Sequence, residues 1–198
     1  MILPIVEGHG EVTAVPILIR RIVAHYAPDA YVQVGQAIRT KRSELVRSGG
    51  VERTIELAAR QTKPTDGILI LLDADDDCPR EIAEALLARA KAARPDRVVC
   101  VVSADREYEA WFLAAARSLR GKRGLADDME PPPNPESIRD AKGWLAQHTP
   151  RGFSYKPTID QPALTNIFDL EQAYAARSFR KFVKDVVALA RLSESHHS

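Results

Sequence analysis

The sequence predicts a three-layer α/β fold with a central four-stranded parallel sheet and an α-helical C-terminal extension. Three observations carry that expectation. Short β-branched runs alternate with helical patterns over the first two-thirds of the chain. The two strongest runs, Ile68 to Leu72 and Val98 to Val102, are unbroken apolar stretches of five residues. Turn residues or helix openers separate the runs. Strands apolar on both faces need helices on both sides, and parallel neighbours need crossover helices, so the order β-α-β-α-β-α-β-α folds as a covered parallel sheet.

Ile2 to Val6 is the first strand. A helix follows near Thr13 to Tyr26, with Thr13 as its cap and Pro16 in the first turn, where a missing N–H costs little. Tyr31 to Ile38 alternates loosely as a weaker strand, and Gly49-Gly50 breaks the chain before a helix near Val51 to Gln61. Lys63-Pro64-Thr65-Asp66-Gly67 is turn chemistry leading into the third strand, Ile68 to Leu72. Pro79 opens a helix with Ile82, Leu86 and Leu87 on one face. Arg97 to Val102 is the fourth strand, and Tyr108 to Leu119 returns to helical spacing. Residues 1–120 are read as the α/β core.

From Gly121 to Pro135 the chain is polar and rich in Gly and Pro, a connecting loop. Asn134-Pro135 suits the start of a helix running to about Gln147. Thr149 to Thr158 reads as irregular, short helices start near Asp160 and Asp169, and Ser178 caps a last helix whose Phe179, Phe182, Val183, Val186 and Ala190 recur at helical spacing. Residues 121–198 are read as a helical extension packed on the core.

Composition narrows the function. Of 198 residues, 45% are apolar and 28% charged, as in globular chains. With 28 Lys and Arg against 27 Asp and Glu the formal net charge is +1, so no global field draws nucleic acid and any such surface must be local. No apolar run approaches the roughly 20 residues that span a bilayer, and the first residues lack the basic region of a signal peptide. Cys78 and Cys100 form no CxxC pair, which argues against a zinc knuckle or a disulfide framework. The expectation is a cytoplasmic protein with no membrane partner.

Ligands of parallel α/β sheets bind where the strands end at their carboxyl edge, and three strand ends here carry acids. The first runs into Glu7-Gly8-His9-Gly10-Glu11, the third into Asp73-Ala74-Asp75-Asp76-Asp77, and the fourth passes Asp105 to reach Glu107 and Glu109. Converging carboxylates repel, and a hard divalent cation with oxygen preference removes the cost. Glu7, Asp73 and Asp75 are expected to share one such cation. Glu107 and Glu109 are two apart, so on a helix they face different ways and at most one of them reaches the site, unless the segment is extended. His9 reads as a loop residue, because an all-oxygen site needs no imidazole. Trp111 and Phe112 read as core.

Val6-Glu7-Gly8-x-x-Glu11, Leu72-Asp73-x-Asp75 and Glu107-x-Glu109-Ala110-Trp111-Phe112-Leu113-Ala114 together resemble the Toprim (topoisomerase–primase) domain. More closely they resemble a Toprim-like bacterial family, domain of unknown function 4276, which is similar to the nuclease domain of overcoming-lysogenization-defect proteins. The tail stretches Ser154-Tyr155-Lys156-x-x-x-Asp160-Gln161 and Arg177 to Phe182 fit the same family. The resemblance implies a Toprim-like fold and one acidic Mg²⁺ (or Mn²⁺) site. Glu7 would be a metal ligand or general base, Glu11 a second catalytic acid, Asp73 and Asp75 metal ligands, and Glu109 or Glu107 the third acidic element. Ser103 matches a polar residue sometimes found near a second metal. The implied activity is a metal-dependent nuclease acting on DNA or RNA in an anti-phage defence module. No G-x-x-x-x-G-K-[ST] occurs, so an ATPase partner would be a separate polypeptide.

Phosphodiester chemistry also needs positive charge. Arg39, Lys41 and Arg42 follow the second strand on the active side and are the candidate nucleic-acid contacts, and Lys156 is the candidate for reaching phosphate at the reacting centre. Arg20-Arg21 reads as solvated surface. Two other functions compete: a receiver-like phosphoacceptor signalling domain, and a non-catalytic metal-binding Toprim interaction module.

Overall fold

The computed structural model describes residues 1–150 and 154–192, so part of the irregular stretch from Thr149 to Thr158 lies outside the described residues. Four parallel strands, β1 (Ile2–Val6), β2 (Ile38–Arg39), β3 (Gly67–Asp73) and β4 (Val98–Ala104), stand in the order β2-β1-β3-β4. Nine α-helices appear among the described residues: α1 (Glu11–Tyr26), α2 (Arg42–Val46), α3 (Gly50–Ala59), α4 (Pro79–Ala93), α5 (Ala110–Ala114), α6 (Ala141–Gln147), α7 (Pro157–Thr165), α8 (Leu170–Ala173) and α9 (Arg177–Leu192). None is long and apolar enough to cross a membrane.

Strand side chains alternate between faces, and the two faces have separate cores. Leu3, Ile5, Ile68, Ile70, Leu72, Val99 and Val101 pack with Leu45, Val51, Ile55 and Leu86 of α2, α3 and α4. Ile2, Val6, Leu69, Leu71 and Val102 face the other way, against Leu18 and Ile22 of α1 and Phe182, Val186 and Leu189 of α9. The C-terminal helices therefore supply half of one layer. At Gly67 this packing is close: a Cβ there would meet the Leu189 side chain at 2.8 Å.

Several elements differ from the sequence expectation, for local reasons. The helix α1 starts at Glu11, not Thr13, because the Gly10 carbonyl accepts from Thr13 and Ala14 N at 3.2 and 3.0 Å; Pro16 thus lies beyond the first turn. The second strand shrinks to two residues plus an isolated bridge from Val34 to Ile2. The expected helix from Pro135 to Gln147 splits into a 3₁₀ turn, Pro135–Ser137, and α6, which Asp140 caps by accepting from Gly143 N at 2.8 Å. The last helix is capped from outside. Ser178 lies inside α9, where the Glu136 carboxylate accepts from Arg177 N, Ser178 N and Ser178 Oγ at 2.7, 2.8 and 2.6 Å. Ser178 Oγ in turn accepts from Trp111 Nε1 at 2.8 Å, fixing that buried ring in the core. Arg21 is not free surface: it donates to the Thr165 and Phe168 carbonyls at 2.6 and 2.7 Å and ties α1 to the end of α7.

Candidate active site

The site lies where β1, β3 and β4 end. Beyond β1 the chain turns at Gly8, and Glu11 Oε2 accepts from Glu7 N and Gly8 N at 3.0 and 3.2 Å, so the first acid of α1 folds back and closes its own loop. Beyond β3 and β4, two non-glycine residues hold left-handed backbone, Asp75 at φ 52° and Arg106 at φ 66°. Each stabilises the other: Asp75 N donates to Arg106 O at 3.1 Å, and Arg106 Nη1 donates to Asp75 O at 3.1 Å. Such conformations cost of order 1 kcal/mol or more and persist only where neighbours hold them, as at functional loop ends.

Four carboxylates from three strand ends share this edge. Glu7 Oε2 accepts weakly from Asp73 N at 3.4 Å, and Asp73 Oδ1 accepts from Tyr108 N at 2.8 Å. Burial lifts all four above the ordinary carboxylate range. Glu11 is pushed up to about 7 by burial, with Glu109 and Glu7 adding repulsion. Asp73 is raised well up by burial, then by Glu11 and Glu109. Burial raises Glu7, with Asp75 adding to it, and burial raises Glu109 against the pull of Lys142. Ionised together, the four acids would carry more negative charge than the neighbouring Lys142 offsets, and burial favours their protonated forms.

Its resident cation is Lys142 of α6. Nζ lies 2.7 Å from Glu107 Oε2 and 3.2 Å from Glu109 Oε2. Burial works against the ammonium, but Glu109, Glu107 and Asp73 outweigh it and hold it protonated. Glu109 is fully enclosed, and its Oε1 accepts from Tyr155 Oη at 3.0 Å and Gln161 Nε2 at 3.2 Å. Both Glu107 and Glu109 reach Lys142 because they precede α5 in a turn, where a two-residue offset does not send side chains apart. Sequence reasoning missed Lys142 as a site residue. Its contact with Glu107 spans 35 residues, and nothing local marks it.

A groove of about 450 Å³ opens beside Glu7 and Asp75, lined also by Gly8, His9, Arg39, Lys41, Arg42 and Ser43. Arg42 Nε donates to the Asp73 carbonyl at 3.1 Å, lies 3.7 Å from Asp75 Oδ2, and its Nη2 pairs with Asp77. Arg39 Nε is enclosed with no hydrogen-bond acceptor, and Lys41 is exposed. Asp76 is taken up by Arg106 and by Arg139 at 3.1 Å. Two candidates stand apart. Lys156 is exposed at the start of α7, its backbone N donating to Asp160 Oδ2 at 2.6 Å and its carbonyl accepting from Ile159 N and Asp160 N at 2.9 and 2.7 Å; the lysine that meets the acids is Lys142. Ser103 lies opposite Leu72 on β4, on the face away from Asp73.

The donor chemistry fits a hard divalent cation. The acids are all-oxygen and desolvated, and the buried Glu109 Oε2 makes no well-aligned hydrogen bond, its neighbour being the Lys142 ammonium at 3.2 Å. Their present geometry is a different matter. Among the described residues no group of three or more His, Cys, Asp or Glu side chains is arranged to hold a metal ion. The expected ready-made set of Glu7, Asp73 and Asp75 is thus not assembled. Protein donors hold the acids instead: Tyr108 N engages Asp73, and Arg42 draws on Asp75.

Fold and site together define a three-layer α/β protein with an acidic cluster at the carboxyl edge of its parallel sheet. The chain belongs to the family described as domain of unknown function (DUF4276), whose model matches residues 6–186. Neither a curated protein nor a solved structure matches the chain.

Proposed function

We propose that the chain is a Toprim-type, Mg²⁺- or Mn²⁺-dependent phosphoesterase, a nuclease acting on DNA or RNA phosphodiesters. One observation carries this reading. Glu7, Glu11, Asp73 and Glu109 come from three strand ends into one desolvated cluster whose charge calls for a cation, beside a groove banked by Arg39, Lys41 and Arg42. Negative charge for a metal next to positive charge for a phosphate backbone is the pairing that phosphodiester hydrolysis uses.

Asp73 and Asp75, with Glu7 beside them, would hold the cation. When bound, a divalent ion polarises a phosphoryl oxygen and lowers the pKa of a water toward neutrality. The chain's own residues do the rest. Glu7, whose pKa burial raises, is a better proton acceptor than an exposed carboxylate. Arg39, with an unpartnered Nε, and Lys41 bind the equatorial oxygens and the flanking phosphates. The resemblance to overcoming-lysogenization-defect nucleases adds a separately encoded ATPase and a defence role to the proposal.

The test is incubation with plasmid, single-stranded DNA and tRNA in Mg²⁺ or Mn²⁺. Cleavage by the wild type, lost in Asp73→Ala and lowered by roughly 10²- to 10⁴-fold in Glu7→Gln, is the expected result. Cleavage that survives Asp73→Ala would belong to a contaminant. Metal binding without cleavage of any substrate would favour the non-catalytic interaction module, a reading that the protein-held state of the acids supports.

A further inference from the structure

The last helix, α9, carries a basic stripe that the acid cluster does not use. Arg180, Lys184 and Arg191 recur four and seven residues apart, so they share one face of the helix and span about 16 Å along it. That face borders a groove of about 580 Å³, whose walls are these three cations, Lys181, Tyr26 at the end of α1 and Tyr174 just beyond α8. Among the described residues that line it, none is acidic. The acids close by are engaged elsewhere: Asp185 pairs with Lys181, and Glu171, beside Tyr26, pairs with His25 at 2.8 Å. Arg180 Nη1 donates to the Tyr174 and Ala175 carbonyls, both at 2.8 Å, which fixes the guanidinium without neutralising it. Lys184 is exposed. The two tyrosine rings stand 5.8 Å apart at 32°, and Tyr174 is 39% exposed.

We propose that this groove binds single-stranded nucleic acid, with phosphates along Arg180, Lys184 and Arg191 and a base against the Tyr174 ring. A cationic track beside aromatic faces is how proteins hold single strands without reading their sequence. At about 3.4 Å per stacked nucleotide, a stripe of about 16 Å takes about five nucleotides. Val183 and Val187, which also line the groove, are buried and half-buried, so they do not protrude as a membrane-inserting face would. Tyr26 lies about 22 Å along α1 from Glu11 of the acid cluster, so this is a second surface, separate from the groove of Arg39, Lys41 and Arg42. The proposal goes beyond the phosphoesterase reading and does not need it, because a strand can be held here by a chain that cuts nothing.

Fluorescence anisotropy of labelled oligo-dT, in EDTA so that no metal contributes, tests this surface on the full chain. The wild type is expected to bind, Lys184→Glu more weakly by roughly tenfold, and Lys184→Ala with a salt-dependence slope smaller by about 1. Tyr174→Leu should lose about fivefold or more, and Tyr174→Phe, which keeps the ring, should bind as the wild type does. Lys184 is exposed, so its variants keep the fold and decide the matter even where Tyr174→Leu does not fold. Unchanged binding by Lys184→Glu would overturn the proposal and put the strand elsewhere, with the phosphoesterase reading intact. Binding to phosphatidylserine vesicles or to polyglutamate, with none to the oligonucleotide, would overturn it in favour of a membrane or an acidic protein. Binding that these variants weaken, in a chain that cleaves no substrate, would support it and sink only the catalytic reading.

Discussion

Replacing Glu11 by Gln tests the electrostatic account of the site with little change of shape. Glu11 is 4% exposed, and its Oε2 accepts from Glu7 N and Gly8 N; a glutamine carbonyl can accept both bonds. What the substitution removes is the charge. Burial and the neighbouring Glu109 and Glu7 lift the Glu11 pKa from 4.5 to about 7 in the folded chain. An acid raised in the folded state binds more protons folded than unfolded. Its contribution is therefore fully present below the unfolded value and is lost as pH rises through the folded one, here between about 4.5 and 7. At about 1.4 kcal/mol per pKa unit the loss is about 3 kcal/mol, to be shared with the acids it repels. In metal-free buffer Glu11→Gln should thus gain on the wild type between pH 4 and pH 8. For a chain of this size that corresponds to roughly 6 to 12 °C in relative melting temperature. Calorimetry or urea melts of both proteins across that range measure it. A difference between them that stays constant with pH, or grows in favour of the wild type, would refute the charge argument.

The same electrostatics makes a divalent cation stabilising. Millimolar Mn²⁺ should raise the melting temperature, by an equivalent of about 2.7 kcal/mol at a hundredfold excess over Kd, and more at pH 8 than at pH 5 because the acids must shed protons to bind. Lys41→Ala, an exposed change on the groove wall, should weaken binding to DNA of any sequence and lower the salt-dependence slope by about 1, as filter binding at several salt concentrations would register. Gly10→Ala should destabilise the fold by about 1–3 kcal/mol, since an added methyl would run into the Pro157 carbonyl and the Gln161 side chain; a neutral result in a urea melt would mean that α7 can retreat from α1.

The sheet was legible because two neighbouring strands, Ile68 to Leu72 in the middle of the sheet and Val98 to Val102 at its edge, are apolar at every position, as strands covered on both faces are. The second strand was not, because Tyr31 to Ala37 adds only one bridge, at Val34, and the pairing that counts is Ile38 and Arg39 on Ile5 and Val6. The five-residue α2 went unseen because one buried side chain, Leu45, is too little periodicity to read. The acids were visible because strand ends point at the ligand edge. Lys142 was hidden, and Tyr155 and Gln161 were legible only as part of a family-like stretch, since the three approach from 35, 46 and 52 residues away.

That separation has a physical consequence for how site and fold depend on each other. A buried Glu109 without Lys142, Tyr155 and Gln161 would be an unpaired charge in the core, costing several kcal/mol. The segment carrying those donors belongs to the same side of the sheet as α9, whose Phe179, Phe182 and Leu189 complete one of the two cores. Truncation after residue 120 would therefore strip apolar cover from the sheet and leave the acid cluster without its counter-charge in one step. Protein donors hold the acids: Tyr108 N engages Asp73, Lys142 engages Glu107 and Tyr155 engages Glu109. On the proposed reading, a divalent cation entering on the Glu7 side would meet acids that folding has already brought to one sheet edge, and its binding energy would have to rearrange carboxylates and displace protons.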